Sequence, residues 1–447
     1  MASARQAALE VLNRVFEHDS YSNIELNHVL KRASLSPPDK RLTTELVYGT
    51  IQRLNTLDWH IQKFVNRPLK KLDSWVLQLL RMSFYQIIFL ERIPNHAVVH
   101  EAVELAKEKG NKGIASFFNG VLRTVTRHKE KLILDGIEDE VKWISLKVSH
   151  PEWLVRKWIK RFGREETIKM CEINNNPPPI ILRVNTLKTT REELIDLLNG
   201  EGIRAVPSQL SRDGVRILSH LSPGELDIFR KGWATIQDES SMLVADAVNP
   251  RPGDQVLDAC SAPGGKATHL AQRMGDKGEI LAVDIHPHKE SLIRENGDRL
   301  GIHIIHTMVA DSTRLGELMP HDHYDRVLLD APCSGLGVLR RKPEIKWKKT
   351  AKDTEELIHI QRNLLKAIAP LVKKGETLVY STCTIDKNEN EEQIAWFLEE
   401  HPDYERDETL IHDLPKPVSP YVKGGCVQIL PHYFGSDGFF ISRVVKR

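Results

Sequence analysis

The chain has 447 residues, 40% hydrophobic and 28% charged, with a formal net charge of +2. That length exceeds what one hydrophobic core usually serves, so two or three domains are expected. No apolar run approaches the roughly 20 residues needed to cross a bilayer, which excludes an integral helical membrane protein, and the near-neutral charge confines any nucleic-acid binding to local basic surfaces.

The opening M-A-S-A-R-Q-A-A-L-E-V-L lacks the order of a secretory signal and reads as an amphipathic helix, so a cytoplasmic location is the expectation. The five cysteines (Cys171, Cys260, Cys333, Cys383, Cys426) are scattered and never spaced C-x-x-C, which suits neither a disulfide framework nor a zinc knuckle. No metal is expected, because His, Cys and carboxylate residues never gather at ligand spacing.

From Ala4 to about His128 the pattern is helical throughout, with Ala7, Ala8, Val11, Leu12, Val15 and Phe16 on one face. Asp39 and Asp73 stand where helices start and Gly110 where one ends, so five or more helices are predicted. Residues 1–140 are read as an all-helical domain. A small α+β module follows over 141–232, with the triple proline Pro177–Pro179 marking the joint before an extended run, Ile180 to Val184, a helix near Glu192 to Asn199 and short strands near Arg204 to Leu218. From Trp233 to the end (233–447), the apolar runs Gln255–Ala259, Glu279–Val283, Ile302–Val309, Arg326–Leu329 and Glu376–Tyr380 alternate with helical segments. That alternation predicts an α/β, Rossmann-like, doubly wound and mostly parallel sheet.

The strongest local signal is V-L-D-A-C-S-A-P-G-G-K, Val256 to Lys266, where a strand runs into a glycine turn and a helix. Gly264 and Gly265 admit close backbone approach by a ligand, and the helix N-terminus offers unpaired amides. Neither a P-loop nor G-x-G-x-x-G is present, which disfavours a triphosphate or a dinucleotide. Asp284, about 20 residues after the glycines, stands where an acid pairs with ribose hydroxyls in doubly wound folds, so an adenosine-bearing cofactor is expected. A tight turn and a helix cap would use the same residues without any ligand.

Two further strands end in Y-D-R-V-L-L-D-A-P-C-S-G and T-L-V-Y-S-T-C-T, placing Cys333 and Cys383 at the carboxyl edge where such sheets bind ligands. A thiol there has a chemical reason. C5 of cytosine is too poor a nucleophile to take a methyl group from a sulfonium, but a thiolate added at C6 makes C5 reactive, and a second group can then remove the C5 proton. A lone cysteine is more often a small buried hydrophobe; two at neighbouring strand ends argue for chemistry. Asp330 offers a carboxylate for the exocyclic amine of cytosine.

These motifs resemble those of the RNA cytosine-C5 methyltransferase family, the NOL1/NOP2/Sun type, and the match runs from Trp233 to the C-terminus. The resemblance implies S-adenosyl-L-methionine as cofactor, held by Cys260, Ser261, Ala262, Pro263, Gly264, Gly265 and Lys266, with Asp284 on the ribose, Asp311 near the adenine and Asp330 between cofactor and base. It implies Cys383 as nucleophile and Cys333 in product release, although the Pro-Cys motif of DNA enzymes would give Cys333 the first role. The helical N-terminal third resembles the NusB RNA-binding fold, and that combination is similar to the bacterial RsmB/Sun/Fmu type that methylates 16S ribosomal RNA. A transfer RNA substrate and a non-catalytic ribosome-assembly or antitermination factor are the alternatives. A monomer is expected. The basic stretch Arg340 to Lys349 follows the Cys333 loop, so Arg340, Arg341, Lys342 and Lys346 are expected to hold RNA phosphates and Trp347 to stack on a base.

Overall fold

The computed structural model describes residues 3–18, 20–219 and 226–447. It divides into two compact units, one of residues 1–177 with 339–348, the other of 178–338 with 349–447. Helices of residues 140–174 thus group with the N-terminal unit, whereas the sequence assigned 141–232 as a whole to the small module.

In the first unit, α1 (Ala4–Glu17), α2 (Ser22–Arg32), α3 (Pro37–Gln52), α4 (Leu54–Gln62), α5 (Ser74–Phe89), α6 (Asn95–Lys109) and α7 (Lys112–Arg127) enclose one core. The apolar face of α1 is buried as its spacing predicts, each such side chain contributing about 1.5–3 kcal/mol of burial. The start of α3 corrects one expectation. Ser36, not Asp39, is the N-cap, and its hydroxyl accepts from the Asp39 amide. Helices α8 (Glu140–Val148), α9 (Glu152–Phe162) and α10 (Arg164–Asn174) complete the unit.

Residues 339–348 belong to this unit although they lie more than 160 positions beyond the rest of it. They supply helix caps. Tyr21, at the N-cap of α2, makes no side-chain cap bond; instead the buried Glu344 accepts from the Ser22 amide at 3.1 Å and the Ser22 hydroxyl at 2.7 Å. Lys346 Nζ donates to Gln52 O (2.9 Å), the last carbonyl of α3, and to Ser149 O (2.7 Å), just past α8. Carbonyls at helix C-terminal ends need such a donor.

The second unit opens with β1 (Ile180–Val184), β2 (Ala205–Pro207), β3 (Gly214–Ile217) and β4 (Ala234–Ile236) in one antiparallel sheet of order β2-β3-β1-β4. The helix Arg191–Gly200 packs on it, begun by a capping box between Thr190 and Glu193.

Then follow β5 (Gln255–Asp258), β6 (Glu279–Asp284), β7 (Ile305–Val309), β8 (Tyr324–Asp330), β9 (Val372–Thr382), β10 (Tyr404–Arg406), β11 (Val422–Lys423), β12 (Cys426–Ile429) and β13 (Phe439–Lys446). They form one sheet of order β11-β12-β13-β9-β8-β5-β6-β7, with β10 also on β13. Strands β5 to β9 are mutually parallel, and the last four join antiparallel. Side chains alternate across it: Val256, Leu328, Val379 and Ile441 enter the core on one face, while Leu257, Val327, Leu329, Leu378 and Phe440 enter that on the other. The chain runs β5-β6-β7 outward and returns to β8 on the opposite side of β5. That reversal opens a crevice at the carboxyl ends of β5 and β8.

Candidate active site

The loop after β5 crosses the carboxyl edge of the sheet. The Ala259 amide donates to Leu328 O, the Ser261 amide to Val283 O and the Gly264 amide to Ser261 O, so Cys260, Ser261, Ala262 and Pro263 are pinned over β8 and β6 before the helix Gly265–Arg273 begins. Gly264 has φ of +90°, and a Cβ there would come within 3.0 Å of Ile293 Cα. At Gly265 a Cβ would meet nothing within 4 Å, so this face of the turn is open. Arg183 on β1, which sequence reasoning missed, fixes the turn from below. Its guanidinium is fully buried and donates to Gln237 Oε1, to Gly265 O and, at 2.9 Å, to Thr268 Oγ1. A charged residue inside a strand of apolar neighbours, I-I-L-R-V, was the available signal.

Acids ring this turn. Asp258, at the end of β5, is fully buried, and neither carboxylate oxygen meets a donor at hydrogen-bonding geometry. Burial pushes its carboxyl up to about 7 despite the nearby Ser261. Asp284 ends β6 and accepts from the His286 amide at 3.0 Å. Asp311 follows β7 and accepts from the amide and hydroxyl of Thr313, bonds that hold its carboxyl below the usual range. The Ala310 amide donates to Asp284 O, so the two acids stand at neighbouring strand ends.

At the other side of the crevice, Asp330 ends β8. Its Oδ2 takes the Lys266 ammonium at 2.6 Å and its Oδ1 the Ser381 hydroxyl at 2.7 Å. Burial opposes the charge on Lys266, but Asp330, with Cys383 and Asp258, holds its pKa above the ordinary value. Just beyond, Cys333 and Cys383 bring their sulfurs to 3.4 Å, and both are unbridged. The Cys333 thiol is pushed well above its ordinary pKa by its hydrogen bond to Cys383, then by burial. Cys260 is also raised, by burial.

The two cysteine loops are tightly interlocked. Gly337 donates its amide to Cys383 O at 3.0 Å, and a Cβ at Gly337 would lie 2.0 Å from Gly438 O. Glu389, unforeseen from the sequence, is buried between them and accepts from the Ser334 amide (2.8 Å), the Ser334 hydroxyl, Gln361 Nε2 (3.1 Å) and the Thr384 hydroxyl (3.3 Å). Asp386 caps the turn that carries it, and the run D-K-N-E after Cys383 was the only hint.

The expected RNA-contact stretch is largely turned inward within the first unit. Arg340 is 4% exposed and donates to Asn176 O and Pro177 O; Lys346 is 1% exposed, with a third bond to Asn175 Oδ1; the Trp347 indole donates to Ile51 O at 2.7 Å. Lys342 lies over the Tyr21 ring, and it and Arg341 are half-buried. This corrects the expectation of an open phosphate-binding stretch: Lys346 and Trp347 serve the carbonyl ends of α3 and α8, which need donors, and Arg340 serves the carbonyls just past α10.

A glycine turn at the switch point, acids at adjacent strand ends and a thiol pair at the next two ends define a methyltransferase of the Rossmann-like class. The chain belongs to the 16S rRNA methyltransferase RsmB/F family. That family's model matches residues 245–445, the NusB family matches 2–127 and the ferredoxin-like domain of the RsmF/B-like methyltransferases matches 150–222. A protein of Bacillus subtilis (strain 168) described as a probable ribosomal RNA small subunit methyltransferase B is 49% identical, over 100% of this chain and 99% of its own. One of the same description from Synechocystis sp. is 39% identical over the whole of both chains. The crystal structure of PH0851 superposes with a TM-score of 0.85 at 28% identity, covering 99% of this chain and 98% of that one. The chain is therefore an enzyme, and the expectation of a non-catalytic factor is set aside.

Proposed function

We propose that this enzyme moves the methyl group of S-adenosylmethionine to C5 of one cytosine in 16S ribosomal RNA, as a cytoplasmic monomer, with Cys383 bonding to C6 of the base. The observation that carries the reading is the thiol pair at 3.4 Å beside the Lys266–Asp330 ion pair, at the crevice where the sheet reverses. The names of the two relatives support the acceptor.

The residues present fit the cofactor. Gly265 leaves an open face, and Asp284 and Asp311 offer carboxylates to ribose hydroxyls and the adenine side. When bound, the cofactor supplies an electrophilic methyl on a sulfonium. The cytosine must leave its stack to reach the crevice.

The Cys383 thiolate then forms the S–C6 bond as the C5=C6 electrons shift to C5, with charge spread over N3 and O2. Asp330, held by Lys266, accepts from the exocyclic amine and orients the ring. C5 takes the methyl group with those electrons. Cys333, having released its proton to solvent, takes the C5 proton; the C–H electrons restore C5=C6, the S–C6 bond breaks, and Cys383 leaves as thiolate. Cys383 also lies on the Lys266 side of the pair, where the ammonium interacts with it, which supports Cys383 as the attacking group.

Labelled methyl transfer to 16S and transfer RNA transcripts by wild type, Cys383→Ala and Cys333→Ala, with denaturing gels, tests the reading. Labelling of 16S RNA, its loss in Cys383→Ala without adduct, and protein-linked RNA in Cys333→Ala are expected. The reverse pattern of adducts makes Cys333 the nucleophile, and labelling of transfer RNA alone moves the substrate.

A further inference from the structure

Four polar groups converge on the carboxylate of Glu389: the amide and hydroxyl of Ser334, the amide of Gln361 and the hydroxyl of Thr384. Ser334 directly follows Cys333, and Thr384 directly follows Cys383. The Ser334 and Thr384 hydroxyls also lie 2.8 Å apart. A side chain with no exposure, accepting from both loops at the residue beside each sulfur, fixes the separation of the sulfurs more directly than the strands do.

We propose that Glu389 is the positioning residue of the cysteine pair: its carboxylate brackets the two loops at the residue beside each sulfur and so presents Cys383, rather than Cys333, as the nucleophile. This rests on the reading of Cys383 given above. The Ser334 and Gln361 amides can only donate to the carboxylate, while the Ser334 and Thr384 hydroxyls share their two protons between each other and Oε1; burial pushes the Glu389 carboxyl up, and the Ser334 bonds oppose that shift. The charge of an ionised Glu389 also disfavours a second negative charge on Cys333, while the Lys266 cation interacts with Cys383. Of the other ionisable groups nearby, Tyr380 on β9 interacts with Cys333, Glu389 and Asp330, Asp330 and Asp258 act on Lys266, and Asp386 in the turn that carries Glu389 acts on Glu389. Tyr380 donates its hydroxyl to Glu389 O at 2.7 Å and so fixes the backbone of the bracket.

Glu389→Gln keeps the shape but brings an amide donor against the Ser334 and Gln361 donors and removes the charge. Full-length wild type, Glu389→Gln and Glu389→Asp are compared by kcat and KM on a 16S RNA transcript, and by the pH profile of iodoacetamide alkylation at each cysteine, resolved by peptide mass. In Glu389→Gln, kcat is expected to fall about 100-fold with KM for RNA within about threefold, and the preference for alkylating Cys383 over Cys333 to fall to about parity. Glu389→Asp should restore part of both. A folded Glu389→Gln with wild-type kcat, or with the preference retained, overturns the proposal. Should that variant not melt cooperatively, Ser334→Ala and Thr384→Val take its place; each is expected to lower kcat about tenfold and narrow the preference, and unchanged values in both overturn it equally. Failure of the underlying reading looks different: wild type would alkylate first at Cys333, or methyl transfer would survive Cys383→Ala.

Discussion

The sulfur of Cys333 lies 3.4 Å from that of Cys383, and the largest cause of the raised Cys333 pKa is that contact. Bonding of Cys383 to carbon removes the partner that held the proton on Cys333. On the proposed roles Cys333 is thus less suppressed in the adduct than in the free enzyme, with burial still raising its pKa. Release needs its deprotonated form, so the rate should rise with pH, about tenfold per unit up to at least the ordinary thiol pKa of about 8.5. In a single turnover, decay of the RNA adduct between pH 6.5 and 8.5 should show that slope in wild type and a slow, flat profile in Cys333→Ala. Equal slopes in the two proteins would remove Cys333 from the release step.

Asp284 and Asp311 stand at adjacent strand ends, joined through the Ala310 amide, but differ in commitment. Asp311 spends one oxygen on two donors from Thr313, whereas Asp284 accepts only from the His286 amide among the bonds described here. Asp284→Ala should therefore weaken S-adenosylmethionine binding more, by about 10- to 100-fold, the range for a hydrogen bond to a charged group. Calorimetric titration of the two alanine variants checks the order. A larger loss in Asp311→Ala would move the ribose contact to β7.

The parallel sheet was legible because β5, β6 and β8 are mostly buried and stand as short apolar runs, with the apolar end of β9 beside them. Ile180–Val184 matches β1 end to end, and Gln255–Ala259 falls within one residue of β5. Strands β10 to β13 were not read, since β10 and β11 span only three and two residues and gain their identity by pairing. Motif residues at strand ends were legible for a similar reason: the strand fixes where its last side chain points. Arg183 and Glu389 were not, because their roles depend on partners about 80 and 55 positions away. The basic run at Arg340 misled because charge patterning shows composition, and whether Lys346 faces water or the ends of two helices is decided by tertiary packing.

Lys266 and Asp330 are 16% and 28% exposed, so their ion pair is screened only in part. Lys266→Met leaves the carboxylate without its cation, and a loss of about 1–3 kcal/mol is expected. The Lys266 pKa is raised in the fold. Its contribution is therefore fully present below the unfolded value of about 10.4 and declines only as pH rises through the higher folded value. The Tm difference between wild type and Lys266→Met should stay constant from pH 6 to 9 and shrink above about 10.4. A difference that closes near neutrality would place the stabilisation elsewhere.

Lys346 behaves in the opposite sense. Its amino group is buried within reach of three acceptors, Gln52 O, Ser149 O and Asn175 Oδ1, and burial pushes its pKa well below the ordinary value, opposed by Cys171 and aided by Arg53. Between that depressed value and about 10.4 the unfolded chain holds a proton that the folded chain lacks, so stability rises with pH across this window. Lys346→Met abolishes the dependence and strands the three acceptors, at a cost of about 2–4 kcal/mol. Denaturant midpoints should show the variant losing more stability at pH 9 than at pH 7, while KM for the RNA transcript stays within about twofold, since an interior side chain makes no phosphate contact. The reverse slope, or a raised KM with stability intact, would return Lys346 to the surface role that its sequence context suggested.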